Sequence, residues 1–131
     1  LLHDIGKLII LHVMDAIQES EGQRGGINRE SLNEILRFAH CDLGYRLLVN
    51  WHVPAIYCQI ARDHHSLELS EDLPLAIVRL ANAGSRKLGL GLDPNPSLVL
   101  SETAEADLLQ VGQTLFDELQ AMIEEHLILA A

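Results

Sequence analysis

Five side chains able to hold a metal ion occur along this chain: His3 and Asp4 in LLHDIGK, His40 in HCDLG, and the adjacent His64 and His65 in RDHH. Neutral imidazole nitrogens combined with a carboxylate oxygen suit iron, manganese, zinc or nickel, whereas calcium takes oxygen ligands. One or two such divalent ions lower the pKa of a bound water toward ~7, which makes hydroxide available for attack on phosphorus. Lys7 follows Asp4 by three residues and His3 by four, so a helix places it on their face. There its ammonium offsets the carboxylate or neutralises a phosphoryl oxygen, and it is the catalytic candidate if the chain is hydrolytic.

Each piece also has a plain structural reading. A histidine beside a carboxylate is common in helical cores, and neighbours on a helix point about 100° apart. His64 and His65 taken alone read as cations near a helix C-terminus, favourable to its dipole by about 0.3–1 kcal/mol. His40 equally reads as a helix start, with Gly44 four residues on as a place where another backbone approaches. Asp63 is either an acceptor that orients His64 or a solvated carboxylate, the latter being preferred. Cys41 reads as a small buried residue, and His12, His52 and His126 as surface or satisfied polar positions.

The elements that must position these groups are helical. Leu1, Leu2, Ile5, Leu8, Ile9 and Val13 recur at three and four residues, which predicts a helix to about Glu19. SEGQRGGIN interrupts it. Asn28 or Ser31 caps the next helix, Ser31 with Glu34 matching a capping box, and a further short helix is expected from Ala39–His40 to Trp51. Pro54 starts a helix to about His64, and Pro74 starts another that ends at Gly89 and Gly91. GLDPNPSLV is loop, and Ser101 to about Leu127 holds one or two amphipathic helices. No strand pattern competes, so the fold class is all-α, with Leu8, Ile9, Leu47, Trp51, Ile56, Ile60, Ile77, Leu80 and Leu115 as the expected core.

The 131 residues fit one domain, and 48% apolar content is enough for a core. The chain opens on a motif without an initiator Met, which reads as a fragment lacking an upstream segment. Nine Lys plus Arg against nineteen Asp plus Glu give a net charge of −10, which disfavours binding to a nucleic-acid backbone. Cys41 and Cys58 form no C-x-x-C pair and suit reduced thiols in the cytoplasm. The longest apolar run, LIIL, is far below the ~20 residues of a membrane span.

The ordered set HDIGK, H-x-x-x-G at His40 and Gly44, W-x-x-P at Trp51 and Pro54, then HH resembles the HD phosphohydrolase superfamily. Within it the match is to the HDOD branch, signalling output domains related to metal-dependent hydrolases. The tail, LGLGLDPNPSLVL followed by AEADLLQVGQTLFDELQ, looks like the HDOD ending. The resemblance implies an HD-domain-like helical bundle of about six to seven helices. It also implies an upstream helical subdomain, which would carry the superfamily's earliest ligand.

Its implied function is bacterial signal transduction through contacts with other signalling proteins or domains, with a metal held by His3, Asp4, His40, His64 and His65. Two alternatives are a metal-dependent phosphohydrolase taking a phosphoester, and a structural helical module with an empty site. Two departures bear on activity. Asn82 stands where catalytic HD proteins place a final aspartate ligand, and HHSLELSEDLP lacks the Gly-Tyr-Pro signature of the branch that hydrolyses cyclic di-GMP. Cyclic dinucleotide hydrolysis is therefore not expected.

Overall fold

Leu2–Asp4 make one turn of 3-10 helix, from which α1 (Ile5–Glu21) continues. The protein is described here from a computed structural model that places the backbone of residues 2–21 and 28–130, and their side chains except at 21, 124 and 126–130. SEGQRGGIN therefore lies largely outside the described residues, as does the His126 side chain. Every regular element among the described residues is helical, six α-helices in all with short 3-10 turns, as the periodicity predicts. None is long and apolar enough to cross a membrane. The residues cluster as two compact units, 1–67 and 68–131.

In the first unit, α1 buries Ile10 and Met14, four residues apart, against Leu36 of α2 (Arg29–Asn50), with Leu32, Ala39 and Leu43 around them. The inward face of α1 is thus Gly6, Ile10 and Met14. Leu8, expected in the core, is 62% exposed because it sits two residues from Gly6, on the opposite flank. Asn28 provides the cap of α2, its side-chain oxygen accepting from the Ser31 N–H at 2.7 Å.

The short helix expected to begin at Ala39–His40 is instead the middle of α2. No Gly or Pro interrupts residues 29–43, so nothing breaks the ladder there. The buried stripe of α2 is Leu36, His40, Gly44 and Leu48, one residue every four, and it carries His40 into the interior.

α2 ends in a Schellman motif. His52 takes φ +55°, its N–H donates to the Val49 carbonyl, and the Val53 N–H donates to the Leu48 carbonyl at 3.0 Å. Val53 then packs against Leu48, Cys58 and Ala61, joined by Ile5 and Tyr45. Trp51, expected in the core, is 56% exposed, because it is the capping residue and Val53 fills the space beside Leu48. Pro54 caps α3 (Ala55–Asp63) rather than being its first residue. Ile60 is buried as expected, while Ile56 is exposed, and Ile9 and Leu47 are half-buried.

In the second unit, α4 (Leu73–Lys87) is capped by Asp72, whose carboxylate accepts from the Leu75 N–H at 2.8 Å, and carries Pro74 in its first turn. Gly89 and Gly91 turn the chain with φ of +75° and +95°, conformations that favour glycine. A 3-10 turn (Leu100–Glu102) leads to α5 (Ala104–Leu109) and α6 (Gln113–Ala130), the two helices expected after Ser101. Leu100, Ala106 and Phe116 form this core, with Leu80 packed against it. Leu115 and Ile77 are exposed, contrary to expectation, since Phe116 and Leu75–Ala76 take the inward positions of their helices.

Candidate metal centre

The first unit brings its donors together from three chain segments. Asp4 ends the 3-10 turn ahead of α1, His40 lies mid-way along α2, and His64 caps the C-terminus of α3 with His65 after it. One donor atom each from Asp4, His40, His64 and His65 lies within 4.8 Å of all the others. The pivot is the crossing of α1 over α2, where Gly6 meets Gly44 and the His40 carbonyl with no room for a side chain between them. Gly44 was expected as a close-approach position. Gly6, its counterpart inside HDIGK, was not singled out, although an unexplained glycine at the start of a helix was a signal available in the sequence.

Three of these atoms form a tight triangle. His40 Nε2 and His64 Nε2 are 3.3 Å apart, and Asp4 Oδ1 is 3.4 Å from the first and 3.5 Å from the second. The His64 Nδ1–H donates to the Ala61 carbonyl at 3.0 Å and faces the Ile60 carbonyl at 3.2 Å, which leaves the Nε2 lone pair aimed into the triangle. These carbonyls orient His64. Asp63 accepts from Arg62 at 2.8 and 2.9 Å. Both His40 and His64 are almost completely buried.

Asp4 Oδ1 is buried without a hydrogen bond, an arrangement that costs about 1–3 kcal/mol unless a cation or other partner offsets it. Tetrahedral ligands at bonds of ~2.0–2.1 Å stand ~3.3 Å apart, so the triangle has the spacing that three nitrogen and oxygen ligands need. The residues present therefore fit a divalent transition metal.

Electrostatics prepare the donors for that role. Burial pushes the Asp4 carboxyl up, but its contact with His64, the hydrogen bond from Lys7 and the nearby positive charge hold it well below the usual carboxylate range. Burial, followed by the Lys7 charge, lowers His40. Burial and then the neighbouring His64 and His40 lower His65 to about 4. At neutral pH the Asp4 carboxylate is therefore anionic and the His40 and His65 imidazoles neutral, the forms in which these groups ligate.

His3 and Lys7 stand beside the cluster. His3 Nε2 is 3.5 Å from Asp4 Oδ2, and its ring centroid is 4.9 Å from that of His64. Burial also lowers its pKa. Lys7 Nζ donates to Asp4 Oδ2 at 2.8 Å, so its ammonium is engaged by the carboxylate. Cys41, expected only as a small buried residue, is half-buried with Sγ 3.4 Å from His40 Nε2. Burial and the Asp4 charge raise its thiol to about 11. His12 and His52 are exposed, away from this set, as expected. Asn82 belongs to the second unit, on α4, and its side-chain nitrogen is buried without a hydrogen bond.

A family model described as HDOD domain matches residues 1–67, just over half of the chain and the whole of the unit that carries the centre. No curated protein and no solved structure gives a significant match.

Proposed function

Because the chain belongs to the HDOD domain family, we propose that it is a bacterial, cytoplasmic signal-transduction output domain that acts through protein contacts and holds a divalent transition metal. Asp4, His40 and His64 are the central ligands, His65 lies within reach of the same ion, and His3 supports Asp4 from the side. The observation that carries the metal is the triangle of two imidazole nitrogens and a buried carboxylate oxygen at 3.3–3.5 Å, which leaves electronegative atoms facing one another unless a proton or a cation lies between them. Two free thiols agree with a reducing cell interior.

When bound, the ion would act as a Lewis acid and lower the pKa of a coordinated water. The chain's own groups favour a binding role over turnover. Lys7, the candidate to neutralise a phosphoryl oxygen, is already paired with Asp4 Oδ2. The alternative is a metal-dependent phosphohydrolase, favoured by the half-exposed position of Asp4 and Lys7 at the rim of the centre.

Elemental analysis of protein purified without chelator tests the first part, with iron, manganese, zinc or nickel expected. Assays of the metal-loaded protein against cyclic dinucleotides, nucleotides and simple phosphoesters test the second. Metal-dependent turnover that disappears in both Lys7→Ala and His64→Ala would establish the phosphohydrolase instead.

A further inference from the structure

We propose that the second unit carries a binding site for a small amphiphilic monocarboxylate. The ligand sits in the groove between the last turn of α4 and the first turns of α6, with its carboxylate at Lys87 and its apolar body against Phe116, Leu119 and Ile123. The site lies wholly within residues 68–131 and does not depend on the metal reading above.

Gly84 is the observation that carries the proposal. It lies inside α4 without a left-handed φ, so no turn requires a glycine there. No other backbone approaches it either, in contrast to Gly6. A Cβ on Gly84 would have Leu100 Cδ1, at 4.0 Å, as its nearest neighbour outside its own helix backbone. Alanine or leucine would favour the helix, yet a side chain at this position would occupy the groove.

The groove encloses about 300 Å³, the lower end of the range for small-molecule sites. At ~30 Å³ for each water-sized group it accommodates ~ten heavy atoms, the size of a medium-length acyl chain rather than of a helix. Its walls are largely apolar. Leu100 and Phe116 belong to the core of this unit, whereas Leu119 and Ile123 keep 44% and 37% of their surface exposed, so an acyl chain laid against them gains hydrophobic burial.

Charge selects the head group. Among the described residues lining the groove, Lys87 is the one charged side chain. Its Nζ donates to the Leu98 carbonyl at 2.8 Å, which uses one of three N–H donors and fixes the ammonium in place. A carboxylate accepts from another. Gln113, also in the lining, is held at both ends of its amide, accepting from Ser101 Oγ at 2.8 Å and donating to Asp117 Oδ1 at 2.7 Å. The chain's net charge of −10 opposes anions in general, so a preference for an anionic head has to come from Lys87.

Octanoate has the required size and is the probe. The isotopically labelled full chain is titrated with octanoate, octan-1-ol and octylammonium below their micelle concentrations, and amide NMR shifts give both location and Kd. Octanoate is expected to shift Gly84, Lys87, Leu100, Phe116 and Leu119 saturably, with about a tenfold preference over octan-1-ol and a larger one over octylammonium. Gly84→Leu, which fills the groove, should abolish the saturable shifts while thermal stability stays level or rises. Lys87→Met should bind octanoate and octan-1-ol equally, with unchanged helical circular dichroism. If Lys87→Met does not fold, the comparison of the two probes in the unaltered chain still decides.

No saturable octanoate shift at these residues overturns the inference. So does equal affinity for octan-1-ol in the unaltered chain, or octanoate binding that persists in Gly84→Leu. Concentration-dependent self-association that is lost in Gly84→Leu and indifferent to octanoate overturns it by assigning the groove to a second copy. Metal content is measured on the same samples: a chain that binds octanoate in this way but no divalent ion refutes the metal reading and leaves this one standing.

Discussion

Gly6 of α1 lies against Gly44 of α2 so closely that a Cβ on Gly6 would stand 2.8 Å from the Gly44 nitrogen and overlap the His40 carbonyl. The contact sets the depth at which α1 meets α2, and through it the distance from Asp4, two residues before Gly6, to His40, four residues before Gly44. A Cβ on Gly44 meets only ordinary or slightly tight contacts, 3.3 Å to the Gly6 nitrogen and 3.5 Å to Ile5.

The two glycines should therefore respond differently to alanine. Gly6→Ala forces the helices apart and is expected to cost about 3 kcal/mol or more, the range of severe overpacking. Gly44→Ala combines mild crowding with a helix-propensity gain of about 1 kcal/mol and should be nearly neutral. Urea denaturation of the two variants checks this, and equal losses would contradict the close-crossing account.

Asp4→Ala should weaken metal binding more than removal of any single histidine, since it takes away the only carboxylate among the described residues within ligand distance of the others. A loss of at least a hundredfold in zinc affinity is expected by competition with a chelator. Asp4→Asn, which keeps the shape and one oxygen without the charge, should fall between Asp4→Ala and the unaltered chain.

Acid should destabilise the metal-free fold in a defined window. The folded values of His3, His40 and His65 lie below the usual 6.5, that of His65 at about 4, so the fold disfavours the imidazolium forms. Stability is complete above pH ~6.5 and drains as pH falls toward ~4, because the unfolded chain takes up protons first. The Asp4 value is also depressed, so its contribution persists to lower pH and is lost only below the usual carboxylate range. Denaturation midpoints should fall between pH 7 and 5, with a shallower slope in His65→Gln. A midpoint that rises on acidification would contradict the assignment.

Trp51 should report a wet environment. At 56% exposure its fluorescence should be red-shifted in the folded protein, and Trp51→Ala should cost under about 1.5 kcal/mol. Leu48, completely buried three residues earlier, should cost about 2–5 kcal/mol on truncation to alanine. A blue-shifted Trp51 emission would mean that a partner or a second copy covers it in solution.

Much of the architecture follows from local pattern. Periodic apolar residues, the Asn28 cap and the prolines at 54 and 74 are short-range signals, and the helices begin within a residue or so of where these place them, although the separate helix expected from Ala39–His40 is continuous with α2. The donor residues are likewise legible by type and order, because HD, H-x-x-x-G and HH are local strings. Which residues face inward is a different matter.

Leu8, Ile56, Ile77 and Leu115 are as apolar as the side chains buried instead. A helix with apolar residues on more than one flank does not specify from its own sequence which flank a neighbour will cover. Trp51 is placed by the way α2 ends, where a left-handed His52 folds Val53 back into the space beside Leu48. Tertiary structure alone determines that Asp4, His40 and His64 converge to 3.3–3.5 Å, since this depends on the Gly6–Gly44 crossing of helices distant in sequence.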